Sequence, residues 1–137
     1  MDSLDQKILE LLKQDSRLPF VEIASRVGLS ESAVRRRVAN LVKSGVIKKF
    51  TVELAETQNM RAITFVSINP SVPTSEVSQK IKEMNGVEVV YETTGEFDII
   101  AVIIGTNIAE INRVIEEIRR IPGVIDTNTS IILRTIR

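Results

Sequence analysis

The chain has 137 residues, of which 43% are hydrophobic and 26% are charged, and its 18 basic and 18 acidic side chains leave no net charge. This length allows one ordinary domain or two small ones. The absence of cysteine and histidine excludes disulfides, zinc–thiolate sites and catalysis by a thiol or an imidazole, so we expect neither an enzyme nor a metal or other cofactor.

The charges are unevenly distributed along the chain. Residues 1–50 hold 10 Lys/Arg against 6 Asp/Glu, whereas residues 61–137 hold 8 against 10. This asymmetry predicts two parts with different partners, the first of them an anion. No apolar run approaches the roughly 18 residues of a membrane span, and a cytoplasmic location is expected.

Three amphipathic helices are predicted in the first part. The first ends near Asp15, and the second has Pro19 in its first turn and Gly28 as its stop. Ser30 is a good N-cap for the third helix, which is predicted to run to about Ser44. The first helix is indicated by an apolar stripe at i, i+4, i+7 and i+8, formed by Leu4, Ile8, Leu11 and Leu12.

The third helix is predicted to have a cationic outer face. On a helical wheel of about 100° per residue, the buried stripe is Val34, Val38, Leu41 and Val42. The outer face carries Ser32, Arg35, Arg36 and Lys43 beside small side chains, and no acid of that helix is expected to face them. Arg37 borders the core, where we expect it to brace the fold through a carboxylate or a helix end.

A short helix, a Gly-containing turn and a cationic third helix predict a helix-turn-helix that binds DNA. The following stretch "GVIKKFTVEL" is typical of a strand entering a hairpin, a wing that would place Lys48 and Lys49 against phosphates. The alternative is a three-helix scaffold whose charged face only keeps it in solution.

The second part is predicted to be a doubled β-α-β unit. The β-rich runs are "ITFVSI", "VEVVYETT", "FDIIAVII" and "SIILRTI", with two helical stripes between them. "NGV" at 85–87 repeats as "PGV" at 122–124, an offset of 37 residues. The fold class is therefore α+β, with a (winged) helix-turn-helix followed by a ferredoxin-like βαββαβ domain.

The predicted sheet has one face without helices. Because "IIAVII" is apolar on both alternations, that face needs a cover, and a second copy of the chain is the simplest one. A homodimer also suits a helix-turn-helix, since paired recognition helices read paired half-sites.

The stretch "TTGEFD" at 93–98 joins the second and third strands. It reads as a turn in which Gly95 supplies an unusual backbone angle and Asp98 bonds a nearby amide. Alternatively, exposed amides and Asp98 bind a small zwitterion. Thr127 and Thr129, with Ser130 near them, either line the same region or are ordinary strand threonines.

The chain resembles the Lrp/AsnC family of prokaryotic transcription regulators, also called feast/famine regulatory proteins. The resemblance covers nearly the whole length and rests on four blocks. They are "LDQKILELLKQDSR", "EIASRVGLSESAVRRRVANLVKSGVIKKF", "TTGEFDIIAVI" and "IPGVIDTNTSIIL". It implies a helix-turn-helix domain in residues 1–50, a hinge strand or linker in 51–60 and a ferredoxin-like domain in 61–137 for effector binding and oligomerisation.

The resemblance also implies a DNA-binding regulator of the prokaryotic nucleoid, assembled as dimers or octamers. An amino acid bound between dimers near the hairpin loop would alter assembly and DNA affinity. The implied DNA readers are Ser30, Ser32, Arg35, Arg36 and Lys43. The implied effector loop is Thr94, Gly95, Glu96 and Asp98, with Thr127 and Thr129 as weaker candidates.

One departure from the family concerns the linker. Family members usually carry a glycine before the first sheet strand, where this chain reads "LAETQNMRAITF". Two other functions remain open at this point. One is an architectural DNA-binding protein without an effector, and the other is an amino-acid sensor or assembly domain that acts through protein contacts.

Overall fold

A computed structural model describes residues 1–55 and 59–137. The chain forms two compact units, Met1–Ala55 and Glu56–Arg137. The linker stretch without the family's glycine falls partly on residues 56–58, outside the described residues.

The first unit consists of three helices, α1 (Ser3–Gln14), α2 (Phe20–Val27) and α3 (Glu31–Lys43). Two N-caps begin helices as side-chain acceptors: Asp2 accepts from the Asp5 amide at 2.9 Å, and Ser30 accepts from the Ala33 amide at 3.2 Å. Gly28 ends α2 in the left-handed conformation, at φ 75°. The buried core cluster of this unit is Ile8, Leu12, Ile23, Ala24, Val34 and Val38, and Leu41 is buried as well.

The predicted wing is not present in this unit. Residues 44–55 include no strand, although Phe50, Val52 and Leu54 alternate as exposed apolar side chains. A strand exists only where a neighbouring strand accepts and donates its backbone hydrogen bonds. None of the described residues of this unit supplies such a neighbour, so the β-like sequence stays unpaired.

The buried stripe of α3 was also predicted one position too wide. Val34, Val38 and Leu41 are buried, but Val42 is 46% exposed. The part-buried side chain on the opposite edge of the stripe is Arg37. The buried face is therefore turned toward Arg37, whose ion pairs allow a charged side chain to lie at the core's edge.

The second unit has the predicted βαββαβ order. Its elements are β1 (Met60–Ile68), α4 (Thr74–Lys82), β2 (Val87–Glu92), β3 (Ile99–Gly105), α5 (Ile108–Arg119) and β4 (Val124–Ile131). The antiparallel sheet has the strand order β2-β3-β1-β4, which is the ferredoxin-like arrangement.

The repeat seen in the sequence is visible in the backbone. Gly86 and Gly123, 37 residues apart, both precede a strand and have φ values of 95° and 100°. The Gly123 backbone also approaches Val72 so closely that a Cβ there would lie 2.7 Å from its side chain. Each half-unit therefore turns from helix to strand in the same way, through a conformation that favours glycine.

The last strand lies earlier in the chain than "SIILRTI" predicted. β4 begins directly after Gly123 and pairs with β1 from Val124 to Ile131. The Ile132 amide makes one more bond to the Arg61 carbonyl at 2.9 Å. Because β1 begins at Met60, the apolar residues after Ile132 have no strand beside them there, and Leu133 is 95% exposed.

Candidate functional site

The outer face of α3 presents a row of exposed polar and cationic side chains. Ser32, Arg35, Arg36 and Lys43 are all exposed on this helix, and its N-cap Ser30 is exposed beside them. The Ser30 and Ser32 hydroxyls lie 3.2 Å apart. The structure thus brings the predicted residues of this helix onto one surface.

Arg35 is held in place by two neighbours. Its Nη2 donates to Glu31 Oε1 at 2.7 Å, and its Cζ lies 5.2 Å from the centroid of the Phe20 ring. The prediction that no acid of the helix faces the arginines was wrong. Glu31 lies one turn before Arg35, the i, i+4 spacing at which helical side chains meet.

Arg37 braces the first unit, as its position on the wheel predicted. Its Nη1 donates to Asp2 Oδ2 at 2.7 Å and to Asp5 Oδ1 at 3.1 Å. The hydrogen bond from Arg37 lowers the pKa of the Asp2 carboxyl, and the bond from the Asp5 amide lowers it further. The three arginines in a row therefore have different roles, and Arg37 connects α3 to the N-cap of α1.

The other cations predicted to contact DNA have no ion pairs among the described residues. Within residues 1–55 and 59–137, no carboxylate pairs with Arg36, Lys43, Lys48 or Lys49. Lys48 and Lys49 lie outside any strand, on the wall of an open groove of about 850 Å³ between the end of α1 and residues 46–53. These exposed cations are available to an anion without first leaving a partner.

The loop between β2 and β3 is a tight turn with exposed amides. Gly95 has φ 103°, and the Thr93 amide donates to the Asp98 carbonyl at 2.9 Å. Among the described residues, the amides of Thr94, Gly95 and Glu96 have no hydrogen-bond acceptor, and all three residues are exposed. Glu96 adds an exposed carboxylate to this loop.

Asp98 closes the turn against the neighbouring strand. Its Oδ2 accepts from the Ile68 amide at 2.9 Å, where β1 and β4 change register. This contact matches the interpretation of Asp98 as a turn residue that bonds a nearby amide. One carboxylate oxygen is occupied by the fold, and Asp98 is half-buried rather than exposed.

Thr127 and Thr129 lie on β4, on the sheet face that the helices cover. Thr127 accepts from Arg119 Nε of α5 at 2.9 Å, and Thr129 is hydrogen-bonded to the buried Thr64. Thr127 of β4 aligns with Val66 of β1, and Val66 aligns with Ile99 of β3. Because Ile99 directly follows the loop, Thr127 lies two strands away from the loop's end. The structure therefore does not bring these hydroxyls together with the loop amides, because they face the helices and already have partners.

The sheet face opposite the helices is apolar across three strands. The register aligns Ile63 with Val102 and Val89, and Phe65 with Ile100 and Tyr91. On β4 the same face is polar, since Asp126, Asn128 and Ser130 follow the same alternation. The ring of Phe65 lies 5.2 Å from the ring of Phe97, which extends the apolar area toward the loop.

Sequence reasoning missed several residues that the structure connects to these surfaces. Glu31 is the clearest case, and its i, i+4 spacing from Arg35 was a sufficient signal. The contacts of Phe20 with Arg35 and of Arg119 with Thr127 join different elements and carried no local signal. Across the described part of the chain there is no cluster of acidic residues that could hold a metal ion, nor a helix long and apolar enough to cross a membrane.

Both parts of the chain match known family models. Residues 1–42 match the AsnC-type helix-turn-helix domain, and residues 61–137 match the Lrp/AsnC ligand binding domain. The HTH-type transcriptional regulator LysM of Saccharolobus solfataricus is 50% identical over 135 residues, covering 98% of this chain and 95% of that protein. The regulator FL11 of Pyrococcus horikoshii is 36% identical, with coverages of 98% and 91%.

Two solved structures with a bound amino acid are similar over the whole chain. A feast or famine regulatory protein of Mycobacterium tuberculosis, complexed with L-methionine, has a TM-score of 0.89 at 26% identity and covers 99% of this chain and 94% of that one. A transcriptional regulator of Neisseria meningitidis, also in complex with L-methionine, has a TM-score of 0.85 at 27% identity, with coverages of 100% and 92%.

Proposed function

Because the chain belongs to the Lrp/AsnC family of DNA-binding transcriptional regulators, which are not enzymes, we propose that it is a homo-oligomeric, sequence-specific regulator gated by an amino acid. The exposed cationic face of α3 carries this proposal. We place the protein in the cytoplasm, bound to the nucleoid, because its proposed binding partner is promoter DNA.

The proposed DNA contacts are made by α3 and by the segment after it. A helix of this kind enters the major groove, where arginine and serine side chains reach base edges. Phosphates on either side of the groove attract unpaired cations. We assign the first role to Ser30, Ser32 and Arg35 and the second to Arg36, Lys43, Lys48 and Lys49.

The proposed homodimer forms through the apolar sheet face opposite the helices. Ile63, Phe65, Ile100 and Val102 lie together there, and the burial of such a face is favourable at about 25 cal/mol per Å² of apolar area. A two-fold dimer also presents two α3 helices to two half-sites. Larger assemblies, such as octamers, would use a second and smaller interface.

The proposed effector is an amino acid held at the β2–β3 loop. The unpaired amides of Thr94, Gly95 and Glu96 suit a carboxylate, and the Glu96 carboxylate suits an ammonium group. The second oxygen of Asp98 completes the acceptors. Thr127 and Thr129 would take part only after leaving Arg119 and Thr64, so we assign them a secondary role.

The effector alters function only if it binds one assembly state more tightly than another, since equal affinity shifts no equilibrium. Coupling of about 1–3 kcal/mol is typical and corresponds to changes of roughly 5- to 150-fold in operator affinity. An exposed loop binds a small zwitterion weakly by itself. We therefore expect a second copy of the chain to cover the loop in the responsive state.

The test is a titration of the protein onto its own upstream DNA at several salt concentrations, with and without each of the twenty amino acids. For about 8 phosphate contacts, log affinity falls with log salt at a slope near −7. One amino acid is expected to change both affinity and mass, measured in parallel by light scattering. Binding that is insensitive to salt would contradict the proposal.

The Glu96→Gln variant separates the effector from the DNA site. We expect it to lose the response to the amino acid while its affinity without effector stays unchanged, because the loop is not on α3. Glu83→Gln, an exposed carboxylate after α4, is the matched control. An unaltered response in Glu96→Gln would contradict the role of the loop.

A second candidate is an architectural DNA-binding protein without an effector. The bond from the Ile68 amide to Asp98 favours it, because that contact already explains why a turn carries this aspartate. A preference for bent or AT-rich DNA, combined with no response to any amino acid, would support this candidate. Loss of DNA binding in Arg35→Ala and Arg36→Ala would exclude a domain that acts only through protein contacts.

A further inference from the structure

We infer that Arg35 is the residue that determines sequence specificity by reading guanine, and that Glu31 and Phe20 are its positioning residues. Arg36, its neighbour, supplies affinity for any DNA. The inference rests on the proposed approach of α3 to the major groove and assigns a division of labour within it.

The first argument is the restraint on the Arg35 side chain. Glu31 Oε1 holds one edge of the guanidinium at 2.7 Å, and the Phe20 ring lies against it at 5.2 Å. Guanidinium has five N–H donors in a rigid fork, so this arrangement leaves donors free. A guanine edge accepts two parallel N–H groups at O6 and N7. A side chain that is already held loses less conformational freedom when it binds.

The second argument concerns charge. A phosphate attracts any cation in reach, whereas a base edge binds well only to hydrogen-bond donors that match the positions of its acceptors. The Arg35–Glu31 pair has no net charge, and its carboxylate is repelled by the DNA backbone. Arg35 therefore gains little from a phosphate and gains most from a base with two acceptors. Arg36 has no carboxylate partner among the described residues and remains a cation available to phosphates.

The first experiment compares Arg35→Lys with Arg36→Lys as the matched control. The probes are a duplex selected by the wild-type protein from a randomised pool and a scrambled duplex of equal length. Both variants keep their charge, so affinity for the scrambled duplex stays within about twofold. Lysine lacks the fork, so Arg35→Lys lowers the ratio of selected to scrambled affinity by roughly 5- to 150-fold. Arg36→Lys leaves that ratio unchanged.

A modified base identifies the atom that is read. Replacement of single guanines in the selected duplex by 7-deazaguanine removes the N7 acceptor and keeps base pairing. At one guanine per half-site we expect wild-type affinity to fall, and the same replacement to have no effect on Arg35→Lys. A uniform response of both proteins at every guanine would overturn the assignment.

The positioning residues are tested by variants that keep Arg35. Glu31→Gln should raise affinity for the scrambled duplex, because it removes a negative charge, and lower the ratio of selected to scrambled affinity. It should leave that ratio unchanged in an Arg35→Lys background. Phe20→Tyr keeps the ring and the ratio, whereas Phe20→Leu lowers the ratio, with melting curves to verify folding of each variant.

Two results would overturn the inference. One is an Arg35→Lys protein with the wild-type ratio, and the other is a Glu31→Gln protein that gains affinity equally for both duplexes. If selection with the wild-type protein enriches no duplex from the pool, the proposed function fails together with this assignment. Wild-type binding to both, without loss in Arg35→Lys, would leave the proposed function intact and reject only the role of Arg35.

Discussion

The two units of this chain present opposite kinds of surface. In the first unit, Arg36, Lys43, Lys48 and Lys49 are exposed cations without carboxylate partners among the described residues. In the second unit, the exposed feature is an apolar sheet face with charges at its margin, such as the Arg61–Glu88 pair. A surface of unpaired cations suits a charged and hydrated partner, whereas an apolar sheet face suits a second copy of the chain.

The units also differ in how much core holds them together. The core cluster of the first unit has six buried residues, and that of the second has fourteen, among the described residues. A domain of about 55 residues buries only about 60% of the surface that its unfolded chain exposes, less than a larger domain does, and is therefore marginal in stability. The first unit compensates with side-chain caps and with the ion pairs of Arg37. These polar interactions add stability that the buried apolar area does not measure.

The largest expected effect comes from shortening one core side chain in each unit. Ile23→Ala and Ile81→Ala each remove a fully buried isoleucine, at a cost of about 2–5 kcal/mol. That cost approaches the whole stability of the first unit but not of the second. Ile23→Ala should therefore lose DNA binding while the second unit stays folded.

Urea unfolding with two probes checks this prediction. Tyr91 is the only tyrosine and the chain has no tryptophan, so its fluorescence reports the second unit alone. Far-UV circular dichroism reports both units. Ile23→Ala is expected to shift the dichroism curve and leave the Tyr91 curve in place, and a joint shift of both curves would contradict the independence of the two units.

A charge on the open sheet face should abolish self-association. Ile100→Glu places a carboxylate between Phe65 and Tyr91, where burial in an interface without a partner costs several kcal/mol. We expect the dimer dissociation constant to rise by about 100-fold or more, toward a monomer of 15.3 kDa. Light scattering measures the mass, and Asn112→Glu on the exposed side of α5 is the control. A dimer that survives Ile100→Glu would refute this face as the interface.

Loss of one unpaired cation should weaken DNA binding without changing its selectivity. Arg36→Ala is expected to lower affinity for every sequence to a similar degree and to reduce the slope of log affinity against log salt by about 1. Arg113→Ala, on the outer side of α5 in the second unit, should leave the slope unchanged. Equal slopes for wild-type and Arg36→Ala proteins would show that Arg36 is not at the DNA.

The smallest expected effect is on the pH dependence of the first unit. Arg37 lowers the pKa of Asp2 in the folded state, so the stabilisation is present above the ordinary pKa of 3.8 and is lost as pH falls through the folded value. Asp2→Asn keeps an N-cap and removes the charge. We expect a lower melting temperature than wild type at pH 7 and a difference that shrinks as pH falls below 3.8. A difference that stays constant as pH falls would contradict the ion pair.

Local patterns in the sequence predicted most of the fold. The helix cap at Ser30 and the stop at Gly28 depend on short-range hydrogen bonds and on backbone angles, which a few residues determine. In α5 the Asn107 side chain accepts from the Glu110 amide, and the Glu110 carboxylate accepts from the Thr106 amide. That bond lowers the pKa of Glu110.

The candidate sites were less predictable because they depend on contacts between elements. The faces of Thr127 and Thr129 follow from the register of β4 on β1, which the β-rich run at 130–136 placed too late. The prediction of a wing was wrong because a strand needs a neighbouring strand to pair with. The alternation of Phe50, Val52 and Leu54 cannot show whether one is present. The pairing of Arg35 with Phe20 required the packing of α2 against α3.

The hydroxyl pair of Thr64 and Thr129 has a consequence for how this core can change over generations. Thr64 is fully buried and Thr129 is half-buried, so the two partners are unequal. If Thr129 is replaced first, the Thr64 hydroxyl stays buried without this partner, whereas replacement of Thr64 first leaves a hydroxyl closer to water. An apolar pair at these positions therefore evolves chiefly by replacement of Thr64 first and of Thr129 second. The opposite order passes through a variant with a buried hydroxyl that has lost this partner.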